Sequence, residues 1–169
     1  MGRSVAASLE MFERTTRRYG KPPFEIHDVI IEDDIVAVEE RNVLSKPFCT
    51  LINFEKQWET PKKQHKLLIV APMSGHYATL LRSTVISLLP DCELFITDWH
   101  NARDIPVSAG KFDIEDYTMH LVDYIRHLGP DTHVIAVCQP APLALAAVAY
   151  LAEDDSKTQP SSLTLIGGP

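Results

Sequence analysis

The stretch HVIAVCQPAPLALAAVAYL, from His133 to Leu151, decides the fold class of this sequence. Its first five residues, His133 followed by four apolar residues, have the pattern of a buried strand in a parallel sheet. Pro140 suits the first turn of a helix, and the residues after it are almost all Ala, Leu and Val. A helix that is apolar all round is expected to be internal. A buried strand that leads directly into such a helix predicts an α/β domain.

The same alternation continues on both sides of this stretch. Strands are predicted at KLLIVAP, ELFITDW and SLTLIGG, and helices at 77–88 and 114–128, the second capped by Asp113 and ended by Gly129. Three earlier strands, FEIHDVII, DIVAVEERNVL and PFCTLINF, have no helices between them, so we expect them to pair antiparallel. An amphipathic helix with Val5, Leu9 and Phe12 on one face precedes them. We therefore divide the chain into an N-terminal helix and linker, 1–23, and an α/β domain, 24–169.

Composition excludes several classes of function. The 169 residues carry a formal net charge of −7, which disfavours nucleic acid or an anionic membrane as the main partner. No apolar run approaches the roughly 20 residues of a membrane span. The three cysteines are odd in number and form no CxxC pair, as expected for reduced cytoplasmic thiols. A Gly-rich phosphate loop is also missing from the sequence, so nucleotide chemistry is not expected.

Cys138 stands where a strand turns into a helix, at the carboxyl end of the strand. Ligands of parallel α/β sheets bind at that end, and the amide of Gln139 lies near a helix N-terminus that favours negative charge. The sequence Ala136-Val137-Cys138-Gln139-Pro140 is a degenerate form of the Gly-x-Ser-x-Gly nucleophile elbow. The pattern therefore makes Cys138 a candidate nucleophile and Gln139 a candidate oxyanion-hole amide. From the pentapeptide alone inert packing explains Cys138 equally well, because free cysteines are often core residues. Its position on a buried strand, directly before the most apolar helix, favours the nucleophile.

Two further strand ends carry candidate site residues. After KLLIVAP, the main chain of Met73 or Ser74 is placed to donate the second oxyanion-hole amide, although a helix cap also explains this segment. His76 is a weaker candidate for a base or substrate contact, since a histidine in the first turn of a helix is more often a polar surface residue. Trp99 either lines the substrate cleft or is a core aromatic. We expect no metal site, because Asp98 and His100 have no third ligand at a recognisable spacing.

Several segments together resemble the intracellular polyhydroxyalkanoate (polyhydroxybutyrate) depolymerases: APMSGHYATLLRSTV, FITDWHNARDIPVSAGKFDIEDY, VIAVCQP, LTLIGGP, YGKPPFEI and LSKPFCTLINF. The resemblance implies an α/β-hydrolase fold with a mostly parallel sheet covered by helices. It also implies Cys138 as the nucleophile of a Cys–Asp–His triad that cleaves a storage polyester at cytoplasmic granules, without a cofactor. The expected partner is the polymer or an oligomer at the granule surface; self-association stays open.

The sequence departs from this family in one respect. The expected triad order is nucleophile, acid, histidine, yet all seven histidines precede Cys138. The family's proteins are longer at the C-terminus, so we expect an incomplete domain that lacks the last strands and a helix, with the acid and histidine beyond residue 169. Two alternatives stay open: a polyhydroxyalkanoate synthase-like acyltransferase, whose family has a similar fold and cysteine nucleophile, and a non-catalytic fragment that binds granules or a partner protein.

Overall fold

The computed structural model describes residues 2–17, 20–60, 62–73, 77–154 and 157–168. Within them, seven strands form one sheet in the order β1-β2-β3-β5-β4-β6-β7. The strands are β1 (Asp28–Ile31), β2 (Asp34–Ser45), β3 (Cys49–Lys56), β4 (His65–Val70), β5 (Cys92–Trp99), β6 (Thr132–Val137) and β7 (Ser162–Ile166). The helices are α1 (Gly2–Thr16), α2 (Arg82–Leu88), α3 (Ile114–Leu128) and α4 (Ala141–Glu153). None of the helices described is long and apolar enough to cross a membrane.

The sheet is mixed. Strands β5, β4, β6 and β7 run parallel, whereas β1, β2 and β3 form an antiparallel ladder that continues onto β5. The reason is visible in the connections: short turns join the first three strands, whereas helices follow β4, β5 and β6. Both the antiparallel start and the parallel continuation predicted from the sequence are confirmed.

Two apolar layers hold the helices against opposite faces of the sheet. Helices α3 and α4 cover one face, where Leu68, Leu121 and Val134 are fully buried. Helix α2 and the segment before β1 cover the other face, where Phe24 packs edge-to-face on Phe54 with ring centroids 5.0 Å apart. Each such side chain contributes roughly 1.5–3 kcal/mol by leaving water. The amphipathic patterns read from the sequence therefore supply two cores, one on each side of the sheet.

Local signals fix the ends of α3. Asp113 is its N-cap and accepts hydrogen bonds from the main-chain N–H groups of Glu115 and Asp116, while the Asp116 side chain accepts from the N–H of Asp113. This reciprocal pair satisfies amide groups that otherwise have no partner in the first turn. At the other end Gly129 adopts a φ of 89°, which a residue with a β-carbon rarely tolerates. The predicted start and end of this helix are both confirmed.

The prediction for helix α4 is wrong in one respect: we expected the helix to be buried on all sides. One face is buried, through Ala141, Ala144, Ala147 and Leu151, but Leu145 is 52% exposed and Tyr150 is 43% exposed. The small alanines let α4 lie close to α3 and the sheet, so a single narrow face makes the contact. An apolar sequence therefore does not by itself determine which side of a helix is covered.

Other predicted boundaries also need correction. The first strand begins at Asp28, and Phe24–His27 is not a strand, although Phe24 and Ile26 are buried. The helix expected at 77–88 is divided into a 3-10 turn, Ala78–Leu81, and α2. Pro140 is the N-cap of α4 instead of a first-turn residue, and Pro142 takes that position. The strand predicted at SLTLIGG is present as β7, and it is largely exposed, with Ile166 at 48%.

Candidate active site

Cys138 occupies a sharp turn between β6 and α4. Its φ is +65°, and its side chain is exposed. Its N–H donates to the carbonyl of Ile166 on β7 at 2.7 Å, and its own carbonyl accepts from the N–H of Ala141 at 3.1 Å. A positive φ costs a residue with a β-carbon roughly 1 kcal/mol or more, and such strain concentrates at functional sites. The strand-to-helix turn predicted at Cys138 is therefore present, and it turns the thiol outward.

The turn is closely packed by the chain that leaves β7. A β-carbon on Gly168 would lie 2.5 Å from the β-carbon of Ala141 and 3.7 Å from the carbonyl oxygen of Cys138. Glycine is thus required at 168 for the two segments to approach each other this closely. Strand β7 and the N-terminus of α4 together fix the main chain on either side of the thiol.

A hydrogen bond from the loop after β4 to the side chain of Gln139 connects this loop to the turn at Cys138. The N–H of Met73 donates to the side-chain Oε1 of Gln139 at 3.1 Å. Val70, the last residue of β4, pairs with Ala136 of β6, so the two strand ends are adjacent. The structure therefore brings together Met73 and Gln139, two of the residues predicted for the oxyanion hole. Ser74 and His76, the other candidates from this loop, lie outside the described residues.

The contact between Met73 and Gln139 has a chemical consequence. A main-chain N–H has one hydrogen, and in this arrangement the hydrogen of Met73 is directed at Gln139. The Gln139 oxygen is an amide carbonyl, chemically close to the ester carbonyl that an oxyanion hole would receive. Sequence analysis considered only the main chain of Gln139 and missed this role of its side chain.

Trp99 is a core aromatic. It is 4% exposed, its indole N–H donates to the carbonyl of Ala71 at 3.0 Å, and its ring stacks on Tyr117 with centroids 4.1 Å apart. Trp99 also lines part of a cavity beyond the end of β5. The two predictions for this residue, a core aromatic and a residue that lines a cleft, therefore each describe part of its surroundings. Its main structural role is to tie β5 to the end of β4 and to α3.

The cavity beyond β5 has a volume of about 650 Å³. At its edge the ammonium of Lys21 donates to Asp98 Oδ2 at 2.5 Å. The other carboxylate oxygen, Oδ1, is buried and has no hydrogen-bond partner among the described residues. Lys21 and Asp98 are 77 positions apart in the chain, and nothing in the sequence signals their pairing. The cavity is lined by Gly20, Lys21, Pro47, Tyr77, Asp98, Trp99, His100, Asn101, Asp104, Ile105, Pro106, Ser108 and Ala109.

His100 is held by both of its ring nitrogens. Nδ1 lies 2.9 Å from the carbonyl oxygen of Pro47, and Nε2 lies 2.9 Å from the hydroxyl of Thr50. A carbonyl can only accept, so Nδ1 carries a hydrogen and donates to Pro47, and in the neutral ring Nε2 then accepts from Thr50. Neither nitrogen is available for a metal unless one of these bonds is lost. In the part of the chain that the structure describes, no three His, Cys, Asp or Glu residues are grouped to hold a metal ion.

The other two cysteines differ from Cys138. Cys49 is buried, and burial raises the pKa of its thiol far above the usual range. Burial also raises the pKa of the half-buried Cys92 thiol, with Asp91 adding to the effect and Lys56 opposing it. Both thiols are therefore held in the unreactive protonated form. Cys138 is the exposed cysteine, and it alone has a turn of the elbow type around it.

Comparison with known proteins bears on the fold. No family model matches the sequence, and no curated protein matches it. Among solved structures, a mutant of LAE6, an alpha/beta hydrolase enzyme from the metagenome of Lake Arreo in Spain, superposes with a TM-score of 0.53 at 14% identity, over 98% of this chain and 58% of that one. Brefeldin A esterase, a bacterial homologue of human hormone-sensitive lipase, gives a TM-score of 0.53 at 14% identity, over 94% of this chain and 45% of that one.

These similarities define the class of fold. The chain has an α/β-hydrolase fold, with a mixed seven-stranded sheet in its described residues and helices on both faces. It spans only about half the length of the two solved structures it resembles. In α/β-hydrolases the nucleophile is carried on a sharp strand-to-helix turn. Cys138 occupies such a turn in this chain.

Proposed function

We propose that this chain carries the nucleophile of a cysteine-dependent carboxylic ester hydrolase that acts on an intracellular storage polyester, polyhydroxybutyrate or a related polyhydroxyalkanoate. One observation carries the proposal: an exposed cysteine with a φ of +65° at a strand-to-helix turn of an α/β-hydrolase fold. The fold supports ester hydrolysis as the class of reaction. The resemblance of the sequence motifs supports the polyester substrate and a cytoplasmic, granule-associated location.

The proposed reaction has two steps. A histidine takes the proton of the Cys138 thiol. The thiolate attacks the ester carbonyl carbon, the carbonyl electrons move to oxygen, and main-chain amides of Gln139 and of Met73 or Ser74 hold the resulting oxyanion. Collapse of this intermediate breaks the carbon–oxygen bond, and the leaving alcohol takes a proton from a histidine, giving a thioester on Cys138. Water, deprotonated by the same histidine, then attacks the thioester and releases the hydroxyacid and the thiol.

The acid and the histidine are the residues that this sequence does not supply in the expected order, because all seven histidines precede Cys138. We propose that both come from chain beyond residue 169. In that arrangement the 169 residues provide the nucleophile and the oxyanion hole, and the base is brought to the thiol by a later strand-end loop. The chain alone would then form the thioester slowly, when the thiol is deprotonated by solvent, and would not turn over efficiently.

Capture of the first step tests the proposal directly. The 169-residue protein is incubated at alkaline pH with an activated ester of 3-hydroxybutyrate, and the modified residue is located by mass spectrometry. We expect a hydroxyacyl group on Cys138 and none in Cys138→Ala. Cys92→Ala, which removes the other partly accessible thiol, is the matched control and should react like the parent protein. Modification spread equally over Cys92 and Cys138, or unaffected by Cys138→Ala, would contradict the assignment.

A further inference from the structure

A threonine side chain of β5 binds the main chain immediately after β4. The hydroxyl oxygen of Thr97 accepts a hydrogen bond from the N–H of Ala71 at 3.0 Å, and both residues are fully buried. Ala71 follows Val70, the last residue of β4, so it begins the loop that leads to Met73. Valine has nearly the same shape as threonine but offers no acceptor. The hydroxyl of Thr97 therefore has a role beyond packing.

This contact lies where the regular pairing of β4 with β5 has ended. The register of the two strands ends at the pair Ile69 and Ile96. Beyond that pair, the N–H of Ala71 donates to Thr97, and the carbonyl of Ala71 accepts from the indole N–H of Trp99 at 3.0 Å. Both main-chain groups of Ala71 therefore have side chains of β5 as partners, and the chain is held at the point where it leaves the sheet.

Little conformational freedom is left between Ala71 and the candidate oxyanion donor. Pro72 alone separates Ala71 from Met73, and its ring fixes its φ at about −65°. The N–H of Met73 then donates to Oε1 of Gln139 at 3.1 Å. A displacement of Ala71 would therefore also displace the N–H of Met73.

We propose that Thr97 is a positioning residue for the candidate oxyanion hole, because its hydroxyl fixes Ala71 and through it the N–H of Met73. The inference rests on the proposed function for the reaction that this N–H serves. Thr97 is fully buried, so it acts through the main chain of the loop. Oxyanion donors act at about 2.7–3.1 Å from the developing charge, so a small displacement of the N–H is expected to weaken the stabilisation.

The ratio of two reactions at Cys138 tests the inference on the 169-residue protein. Acylation by an activated ester of 3-hydroxybutyrate uses the oxyanion hole, whereas alkylation by iodoacetamide does not. Thr97→Val should lower the ratio of the acylation rate to the alkylation rate about tenfold. The loss is smaller than the roughly hundredfold effect of removing an oxyanion donor, because Trp99 still binds the carbonyl of Ala71. Thr97→Ser keeps the hydroxyl and should keep the ratio.

Two matched variants separate positioning from a general loss of stability. Asn53→Val breaks another buried hydrogen bond between a side chain and the main chain, from Asn53 Nδ2 to the carbonyl of Leu94 at 3.1 Å. Thr132→Val removes another buried threonine hydroxyl, at the opposite end of β6 from Cys138. Both variants should keep the ratio, even where the melting temperature falls. A ratio lowered as much by Asn53→Val as by Thr97→Val would mean that Thr97 has a purely structural role.

Hydrogen exchange gives a second readout that needs no reaction. The N–H of Ala71 should exchange slowly in the parent protein, since it is buried and bonded. Thr97→Val should speed exchange at Met73 about tenfold or more, because the bond of Met73 to Gln139 depends on the position of the loop. Thr97→Ala removes the same hydroxyl and takes the place of Thr97→Val if that variant does not fold.

Three results would overturn the inference: rapid exchange at Ala71 in the parent protein, an unchanged ratio or unchanged exchange at Met73 without the hydroxyl, or a ratio that falls equally in Thr97→Ser. These results are distinguishable from failure of the proposed function. If Cys138 is acylated but the ratio does not respond to Thr97→Val, the proposed function stands and the role of Thr97 is wrong. If no ester modifies Cys138 in the parent protein, the proposed function is wrong, and exchange at Met73 still decides whether Thr97 positions the loop.

Discussion

The carboxyl ends of β6 and β5 lie at the same edge of one sheet, yet their side chains are held in opposite ways. At the end of β6, Cys138 is exposed, has an unfavourable φ, and is held by main-chain hydrogen bonds to Ile166 and Ala141. At the end of β5, Asp98, Trp99 and His100 are fixed through their side chains by an ion pair, a ring stack and hydrogen bonds. The first arrangement leaves a reactive group available, and the second builds a rigid, shaped wall beside it.

The difference shows how an α/β sheet separates reactivity from positioning. A side chain that makes no structural hydrogen bond can form and break bonds during a reaction. A side chain whose hydrogen bonds stabilise the fold cannot do so without a loss of stability. Substitutions at the β6 end should therefore change the reaction with esters more than the free energy of unfolding. Substitutions at the β5 end should change the free energy of unfolding more than the reaction.

The largest expected effect is at Cys138. Cys138→Ala and Cys138→Gly should each abolish acylation by esters, and under the proposed hydrolase function the loss of turnover should reach several powers of ten, as for other catalytic nucleophiles. Thermal unfolding should separate the two variants. Glycine accepts a positive φ without strain, so Cys138→Gly should be more stable than Cys138→Ala by about 1 kcal/mol. Equal stability of the two would mean that the turn relaxes when the cysteine is removed.

The second prediction concerns the loop after β4. An extra residue between Pro72 and Met73 should slow acylation about a hundredfold or more, the usual effect of losing an oxyanion donor. Alkylation of Cys138 by iodoacetamide needs no oxyanion hole, so its rate should be nearly unchanged and serves as the internal control. Ester reactivity that survives the insertion would remove Met73 and Ser74 from the proposed site.

A smaller effect is expected from the Gln139 side chain. Gln139→Ala breaks the contact with the N–H of Met73, and it should slow acylation roughly tenfold if that contact positions the loop. Gln139→Glu keeps an acceptor oxygen but adds a negative charge beside the developing oxyanion, so it should not restore the rate. Faster acylation in Gln139→Ala would instead mean that the Gln139 oxygen occupies the place of the substrate carbonyl, and the ratio of ester to iodoacetamide reactivity distinguishes these outcomes.

The sequence predicted the β6 end far better than the β5 end. The strand, the turn at Cys138 and the helix after it are consecutive in the chain, so local pattern was enough to find them. The cavity depends on Lys21 meeting Asp98 across 77 positions, and on Pro47 and Thr50 meeting His100 across 53 and 50. These contacts depend on the order of the strands in the sheet and on the packing of the N-terminal segment. The spacing of apolar residues along the sequence predicts neither. The exposed face of α4 was missed for the same reason.

At the β5 end, Trp99→Phe should affect stability more than chemistry. The phenyl ring keeps part of the stacking on Tyr117 but removes the indole N–H, leaving the buried carbonyl of Ala71 without its donor. We expect a loss of about 1–3 kcal/mol in the free energy of unfolding. Alkylation of Cys138, measured well below the unfolding temperature, should be unchanged. Trp58→Phe, at the other and less buried tryptophan, is the matched control and should have little effect on stability.

The smallest predicted effect is a pH dependence from the aromatic cluster behind Trp99. The ring of His120 lies 5.2 Å from that of Phe112 and 6.3 Å from that of Trp99, and burial is the main cause of its lowered pKa, with Lys46 acting in the same direction and the carbonyl of Asp116 opposing it. Its Nε2 is buried and has no hydrogen-bond partner among the described residues.

Because its folded-state pKa lies below that of the unfolded chain, His120 takes up a proton on unfolding as the pH falls through about 6.5. Stability should therefore be full above that pH and should decline below it, until the folded-state pKa is reached. His120→Gln should flatten this part of the curve of unfolding free energy against pH. His127→Gln removes an exposed histidine of the same helix and serves as the control for the substitution itself. If both variants behave alike, the pH dependence arises elsewhere, and the β5 end is less tightly closed around His120 than its packing indicates.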